Sequence, residues 1–97
     1  MTRQFAIAAA GGALFILASS APAFAEDRGF CRDYARAAVR QTEKAQSHDR
    51  CMRRIGDDHT RWSTDFHNHF NWCLSASRDQ ADSERDARRD VLDDCTR

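Results

Sequence analysis

The sequence has no surplus charge of either sign: 15 Lys and Arg stand against 15 Asp and Glu, a formal net charge of zero with histidine neutral. Without a basic stripe a chain cannot follow a phosphate backbone, so nucleic-acid binding is excluded. Closely spaced cysteines are missing too. Structural zinc sites pair thiolates two to four residues apart, whereas Cys31, Cys51, Cys73 and Cys95 are spaced 20, 22 and 22. The same spacing removes the Cys-x-x-Cys redox pair and the haem-attachment motif. No Gly-x-Ser-x-Gly elbow and no phosphate-binding glycine loop occur, and a small helical chain offers little cleft, so no enzyme is expected. Methionine and histidine are scarce (2 and 4 residues), which argues against a copper carrier.

The one long apolar stretch lies at the start. Arg3 supplies a short positive region, Phe5 to Ala18 is apolar, Pro22 breaks the run, and Ala23-Phe24-Ala25 offers the small residues that signal peptidase accepts. A membrane span needs about 20 apolar residues, more than this run provides. Residues 1–25 are therefore expected to be a secretory signal cut before Glu26. No lipid-accepting cysteine follows it, so the destination is the periplasm and no membrane contact remains after cleavage. The domain is then 26–97: 72 residues, of which 29 are charged.

Large apolar side chains are few in that domain, and a core so lean usually needs covalent staples. Four cysteines in an exported chain point to two disulfides. The spacing predicts three helices. The first runs from Asp27 to about His48, with Cys31, Tyr34, Ala38 and Ala45 on one face. The second starts at Ser63 as N-cap, with Asp65 in its first turn and Phe66, Phe70 and Cys73 in register. Ser77-Arg78-Asp79-Gln80 is a capping box opening the third, which carries Ala87, Val91 and Cys95 on one stripe. Cys31 and Cys51 would lie about 30 Å apart along a helix, whereas bonded cysteines need Cα atoms within roughly 7 Å. Cys73 and Cys95 fail in the same way. In an up-down-up bundle the pairs are Cys31–Cys73 and Cys51–Cys95; the remaining pairing, Cys31–Cys95 with Cys51–Cys73, requires a different helix order. The expected fold is thus all-α, a three-helix up-down-up bundle with two disulfides.

Two segments could carry chemistry. The connector from Arg50 to Trp62 is long and charged, and the proposed topology puts it beside the end of the third helix. That would bring Asp57 and Asp58 near Asp90, Asp93 and Asp94. On the third helix Asp82, Asp86, Asp90 and Asp94 recur every four residues, a like-charge pattern that costs a few tenths of a kcal/mol per pair. Clustered carboxylates without thiols suit a hard cation such as Ca²⁺, Mn²⁺ or a lanthanide ion. The ordered Asp loop of an EF-hand is missing, so such a site would be irregular and open, or shared in a metal-bridged dimer; otherwise the chain is a monomer. The competing reading is a solvated salt-bridge face, since Arg78, Arg85, Arg88 and Arg89 interleave with these acids and Glu84–Arg88 is a favourable i, i+4 pair.

Asp65 and His69 share a helix face, the carboxylate orienting the imidazole or both serving as ligands. Trp72 reads as packing over the Cys31–Cys73 bond. Trp62 reads as closing over the first turn of the second helix; its rival role is a partner-binding hot spot together with Arg61, because Trp and Arg dominate such patches.

Cys31-x-x-Tyr34-Ala35-x-x-Ala38-Val39-x-Gln41, followed by Arg61-Trp62-Ser63-x-Asp65-x-x-x-His69-x-x-Trp72-Cys73, resembles a group of small exported alphaproteobacterial proteins of mostly unassigned function. The resemblance spans most of the domain and implies little about activity. In size, export and helical build the chain is also similar to landiscernin-type periplasmic lanthanide-binding proteins, a resemblance that implies a hard cation without indicating its ligands. The expectation is a non-catalytic periplasmic accessory protein. It would bind a hard cation through Asp57, Asp58, Asp90, Asp93 and Asp94; alternatively it engages a periplasmic protein partner through Arg61 and Trp62, or is purely structural.

Overall fold

The computed structural model describes residues 27–97, so the expected signal and its cut lie outside the described residues. All regular structure among them is helical: α1 over residues 27–46, α2 Asp49–Ile55, α3 Phe66–Leu74 and α4 Arg78–Cys95. Four helices thus replace the expected three, and α2 lies inside the segment read as a connector. The break has a local cause. The Ser47 hydroxyl donates to the Lys44 carbonyl at 2.7 Å, and the His48 ring nitrogen Nδ1 meets the same carbonyl at 3.0 Å. Side chains thereby occupy an acceptor that a continuing helix would use. His48 is extended and the chain restarts at Asp49, an acid in the first turn where the helix dipole favours it. α2 stops at Gly56, whose φ of 62° lies in the left-handed region that glycine adopts without strain. No described helix is long and apolar enough to cross a membrane.

At α3 the expected N-cap shifts by two residues. Asp65 caps the helix by accepting from the His67 amide at 2.9 Å, while the Ser63 hydroxyl accepts from the Asp65 amide at 3.0 Å. At α4 the capping box forms as its residues imply. The Ser77 hydroxyl accepts from the Gln80 amide, and the Gln80 side chain accepts from the Ser77 amide.

Both disulfides have the expected pairing, Cys31–Cys73 with Cα atoms 5.5 Å apart and Cys51–Cys95 with 5.0 Å, and no cysteine is free. Along α1 the fully buried Ala35, Ala38 and Ala45 let neighbouring backbone approach closely. Asp27 faces Arg78 at 3.9 Å, and the Gln41 amide donates to the Arg85 carbonyl at 3.2 Å. With Ala45 packed against Leu92, α1 and α4 run side by side in one direction. The first disulfide ties the start of α1 to the end of α3, so α3 runs the opposite way.

The core is divided. Cys31, Tyr34, Cys73 and Ala81 form one apolar cluster; Ala45, Cys51, Trp62, Leu92 and Cys95 form the other. Along α1 and α4 a polar layer lies between them, containing the buried Thr42 and Arg88. The stripe of α4 that faces inward is Ala81, Arg88, Leu92 and Cys95, with Ala87 and Val91 half-buried beside it. The inward stripe is thus offset by one residue from the expected one, except at Cys95.

Candidate functional site

Residues 56–65 form the loop between α2 and α3, and its shape is set by one carboxylate. Asp58 Oδ1 accepts from the backbone amides of Thr60 and Arg61 at 3.3 and 3.1 Å, an Asx-type turn that directs Arg61 towards α4. There Arg61 donates from Nε and Nη2 to the two oxygens of Glu84, both at 2.9 Å. This fork-on-fork geometry is the strong form of an arginine–carboxylate pair. The Glu84 hydrogen bond is the main reason the Arg61 guanidinium holds its proton more tightly than usual.

Further along the loop the Ser63 carbonyl accepts from His69 Nε2 at 2.7 Å. His69 is buried, and burial pushes its pKa down. The Ser63 carbonyl pulls in the opposite direction and the Arg88 charge adds to the lowering. The ring is therefore a neutral imidazole with its proton on Nε2. Asp65, expected to orient this ring, instead caps α3, and it reaches His69 through its field alone.

Tyr34 is the aromatic centre of the arrangement. Its ring centroid lies 5.5 Å from that of Trp72, 6.4 Å from His69 and 5.1 Å from the Arg88 guanidinium carbon. These side chains, with Arg61 and Glu84, line a cleft of about 330 Å³. A cleft here is a departure from the sequence expectation; residues 59–61 of the loop wall it together with α1, α3 and α4. Trp72 is 39% exposed, one of two large apolar side chains open to solvent among the described residues. Arg88 is only 1% exposed. Its Nε donates to Gln41 Oε1 at 2.8 Å, its Nη1 stands 3.9 Å from Glu84, and its Nη2 has no hydrogen-bond partner.

The acids singled out in the sequence are distributed differently. Asp57, Asp58, Asp90, Asp93 and Asp94 are all exposed. Asp94 pairs with Arg54, which holds its carboxyl below the usual range, and Asp58 is engaged with its own loop amides. Among the described residues no three His, Cys, Asp or Glu side chains are gathered so as to hold a metal ion. Of the five, Asp94 and Asp58 are thus satisfied locally, by Arg54 and by backbone amides, and the five are not focused on one point. The acids at positions 82, 86, 90 and 94 face solvent, as a salt-bridge face would, and Asp86 pairs with Arg89 at 2.9 Å.

Trp62 packs, as its first reading has it: it is 7% exposed within the Cys51–Cys95 cluster, so its rival role as a hot spot with Arg61 falls away, and Trp72, read as packing, is the indole that reaches solvent. Arg61 does stand at the cleft. Glu84 belongs first to Arg61 and only at longer range to Arg88. Sequence reasoning missed Arg88, although a signal was present: it interrupts the 81–88–92–95 apolar series, where a charge needs a reason. Comparisons with protein-family models, curated proteins and solved structures find no match to this chain.

Proposed function

We propose that this chain is a non-catalytic periplasmic accessory protein, exported with removal of residues 1–25, that acts as a binding module through the cleft beneath the 56–65 loop. The observation that carries the proposal is the partly exposed Trp72, packed at a tilt against the buried Tyr34 at the rim of a cleft of about 330 Å³ whose remaining walls are polar. Exposing an indole costs hydrophobic free energy, and Trp is the side chain most often found at the centre of binding surfaces. Arg61 keeps its place in this reading, and Trp72 takes the role first assigned to Trp62. Two disulfides in a small domain are consistent with an oxidising compartment. The non-catalytic reading draws on the inventory of reactive groups: the four cysteines are bonded and the His69 Nε2 is committed to a backbone carbonyl. At the Cys51–Cys95 end Asp94 is engaged by Arg54 and Asp58 by loop amides, and no three acids converge among the described residues, which directs the proposal to the cleft rather than to a cation there.

The test is an ¹⁵N NMR screen of the disulfide-intact domain against a chemically mixed set of small molecules and short peptides. Saturable shifts should concentrate on the Trp72 indole, Asn68 and Arg61, and should vanish in Trp72→Ala. Binders whose shifts map consistently to another face would refute the assignment.

A further inference from the structure

Arg88 carries a charge in a place where charge is normally compensated. Buried guanidinium groups are stable when paired and fully hydrogen-bonded, because desolvation of an unpaired cation costs several kcal/mol. Here the compensation is partial. One neutral acceptor, Gln41 Oε1, takes the Nε proton at 2.8 Å, the Tyr34 ring lies 5.1 Å away, and Nη2 has no partner at all. The nearby carboxylate, Glu84, stands 3.9 Å from Nη1 and gives both of its oxygens to Arg61 at 2.9 Å. Two guanidiniums thus share one carboxylate, and with His69 neutral the Arg61–Glu84–Arg88 group carries a net positive charge.

We infer that the cleft is an anion site for a carboxylate borne on a flat apolar body, the carboxylate meeting Arg88 and the body lying on Trp72. The inference rests on the cleft being the binding surface, and it adds the chemical class of the ligand. A carboxylate fits better than a phosphate because Arg88 has a single uncommitted edge. Its Nε is taken by Gln41, so the three-sided donor set that a tetrahedral anion wants is not offered. The flat body follows from Trp72, whose accessible surface borders the cleft, and about 330 Å³ is near the small end of ligand pockets, roughly 300–1,000 Å³. Nη2 itself has under 1 Å² of accessible surface and so lies behind the wall of the cleft. A carboxylate reaches it only by displacing the adjoining Arg61–Glu84 pair, whose side chains are 38% and 28% exposed. Glu84 is then the internal competitor of the incoming carboxylate.

The experiment titrates the disulfide-intact domain with benzoate, benzamide, benzylamine, inorganic phosphate and N-acetylphenylalanine, following the Arg88 Nε–H and Trp72 indole signals by NMR. Benzoate should give saturable shifts at both positions, while benzamide, benzylamine and phosphate bind at least about tenfold more weakly. Glu84→Gln, a substitution on the partly exposed rim, should strengthen benzoate binding several-fold, an effect that a purely structural Glu84 would not produce. Arg88→Lys should weaken it about tenfold or more; should that variant fail to fold, the Glu84→Gln result carries the test. N-acetylphenylalanine binding as well as benzoate assigns the carboxylate to a chain end, and benzoate alone to a free acid; either supports the inference. Equal binding of benzamide and benzoate overturns the anion requirement and leaves the cleft as a binding surface. No saturable shift at Trp72 with any probe up to about 10 mM overturns this inference; the proposal beneath it falls if the broader screen is also silent there.

Discussion

Replacing each tryptophan by alanine separates the two roles assigned to them. Trp62 is 7% exposed inside the Cys51–Cys95 cluster, and Trp72 is 39% exposed at the cleft. For a side chain of about 250 Å² that difference is about 80 Å² of buried surface, worth about 2 kcal/mol at about 25 cal/mol per Å². Trp62→Ala also leaves a void between α2, α4 and the loop, and buried aromatic truncations of this kind cost about 3–5 kcal/mol in total. A domain this small holds roughly 3–5 kcal/mol of stability. Trp62→Ala should therefore be largely unfolded near 37 °C, while Trp72→Ala stays folded and loses ligand shifts. With about 4–8 °C per kcal/mol for a domain of this size, the two melting midpoints should differ by about 8–16 °C. Thermal and urea unfolding of the oxidised proteins, followed by far-UV circular dichroism, measures this directly. If Trp72→Ala proves as costly as Trp62→Ala, the assignment of one indole to the core and the other to the surface is wrong.

Three further expectations concern the staples and the polar layer. Removing the second disulfide with Cys51→Ala and Cys95→Ala releases a sequence separation of 44 residues and should cost about 4 kcal/mol in urea unfolding; a loss below about 1 kcal/mol contradicts the chain-entropy reasoning. Gln41→Ala strips the Arg88 Nε of its acceptor and should destabilise by about 1–3 kcal/mol, whereas substitutions at the exposed Arg36–Asp33 pair should change stability by under about 1 kcal/mol. The folded-state pKa of His69 lies below its unfolded value of about 6.5, so the unfolded chain takes up the proton first as pH falls. That contribution to stability is intact above about pH 6.5 and is lost as acidification proceeds through the folded-state value. The midpoint measured from pH 8 to pH 5 should decline more steeply for the wild type than for His69→Gln, and equal slopes would exclude His69 as the cause.

The pairing of the cysteines was legible from helical rise taken with an up-down-up order: rise keeps cysteines about 20 helical residues apart from touching, and the order rejects Cys31–Cys95 with Cys51–Cys73. The capping box at Ser77 was legible for the same kind of reason, since all of its atoms belong to one turn. The end of the first helix near His48 was legible too, but the restart as α2 was not, because the segment from Arg50 to Trp62 reads as a charged loop. It is the competition of two polar side chains for the Lys44 carbonyl, together with the demand that Cys51 meet Cys95, that ends α1 there.

Burial and partnership belong to the tertiary structure. Trp62 has polar neighbours, Thr60, Arg61, Ser63 and Thr64, and Trp72 more apolar ones, Phe70, Cys73 and Leu74, yet Trp62 is the buried indole; what distinguishes them is whether the Cys51–Cys95 cluster or solvent lies across from them. Glu84 sits one helical turn from Arg88, and local spacing pairs them, yet the loop brings Arg61 from 23 residues away with a better-aligned fork. Composition and spacing determined three of the four described helices, the staples and the leanness of the core, all properties of short range or simple arithmetic. Which charge is enclosed, which indole is left in water and which acids remain apart are decided by surfaces meeting across the fold, and no local stretch of chain contains both sides of such a contact.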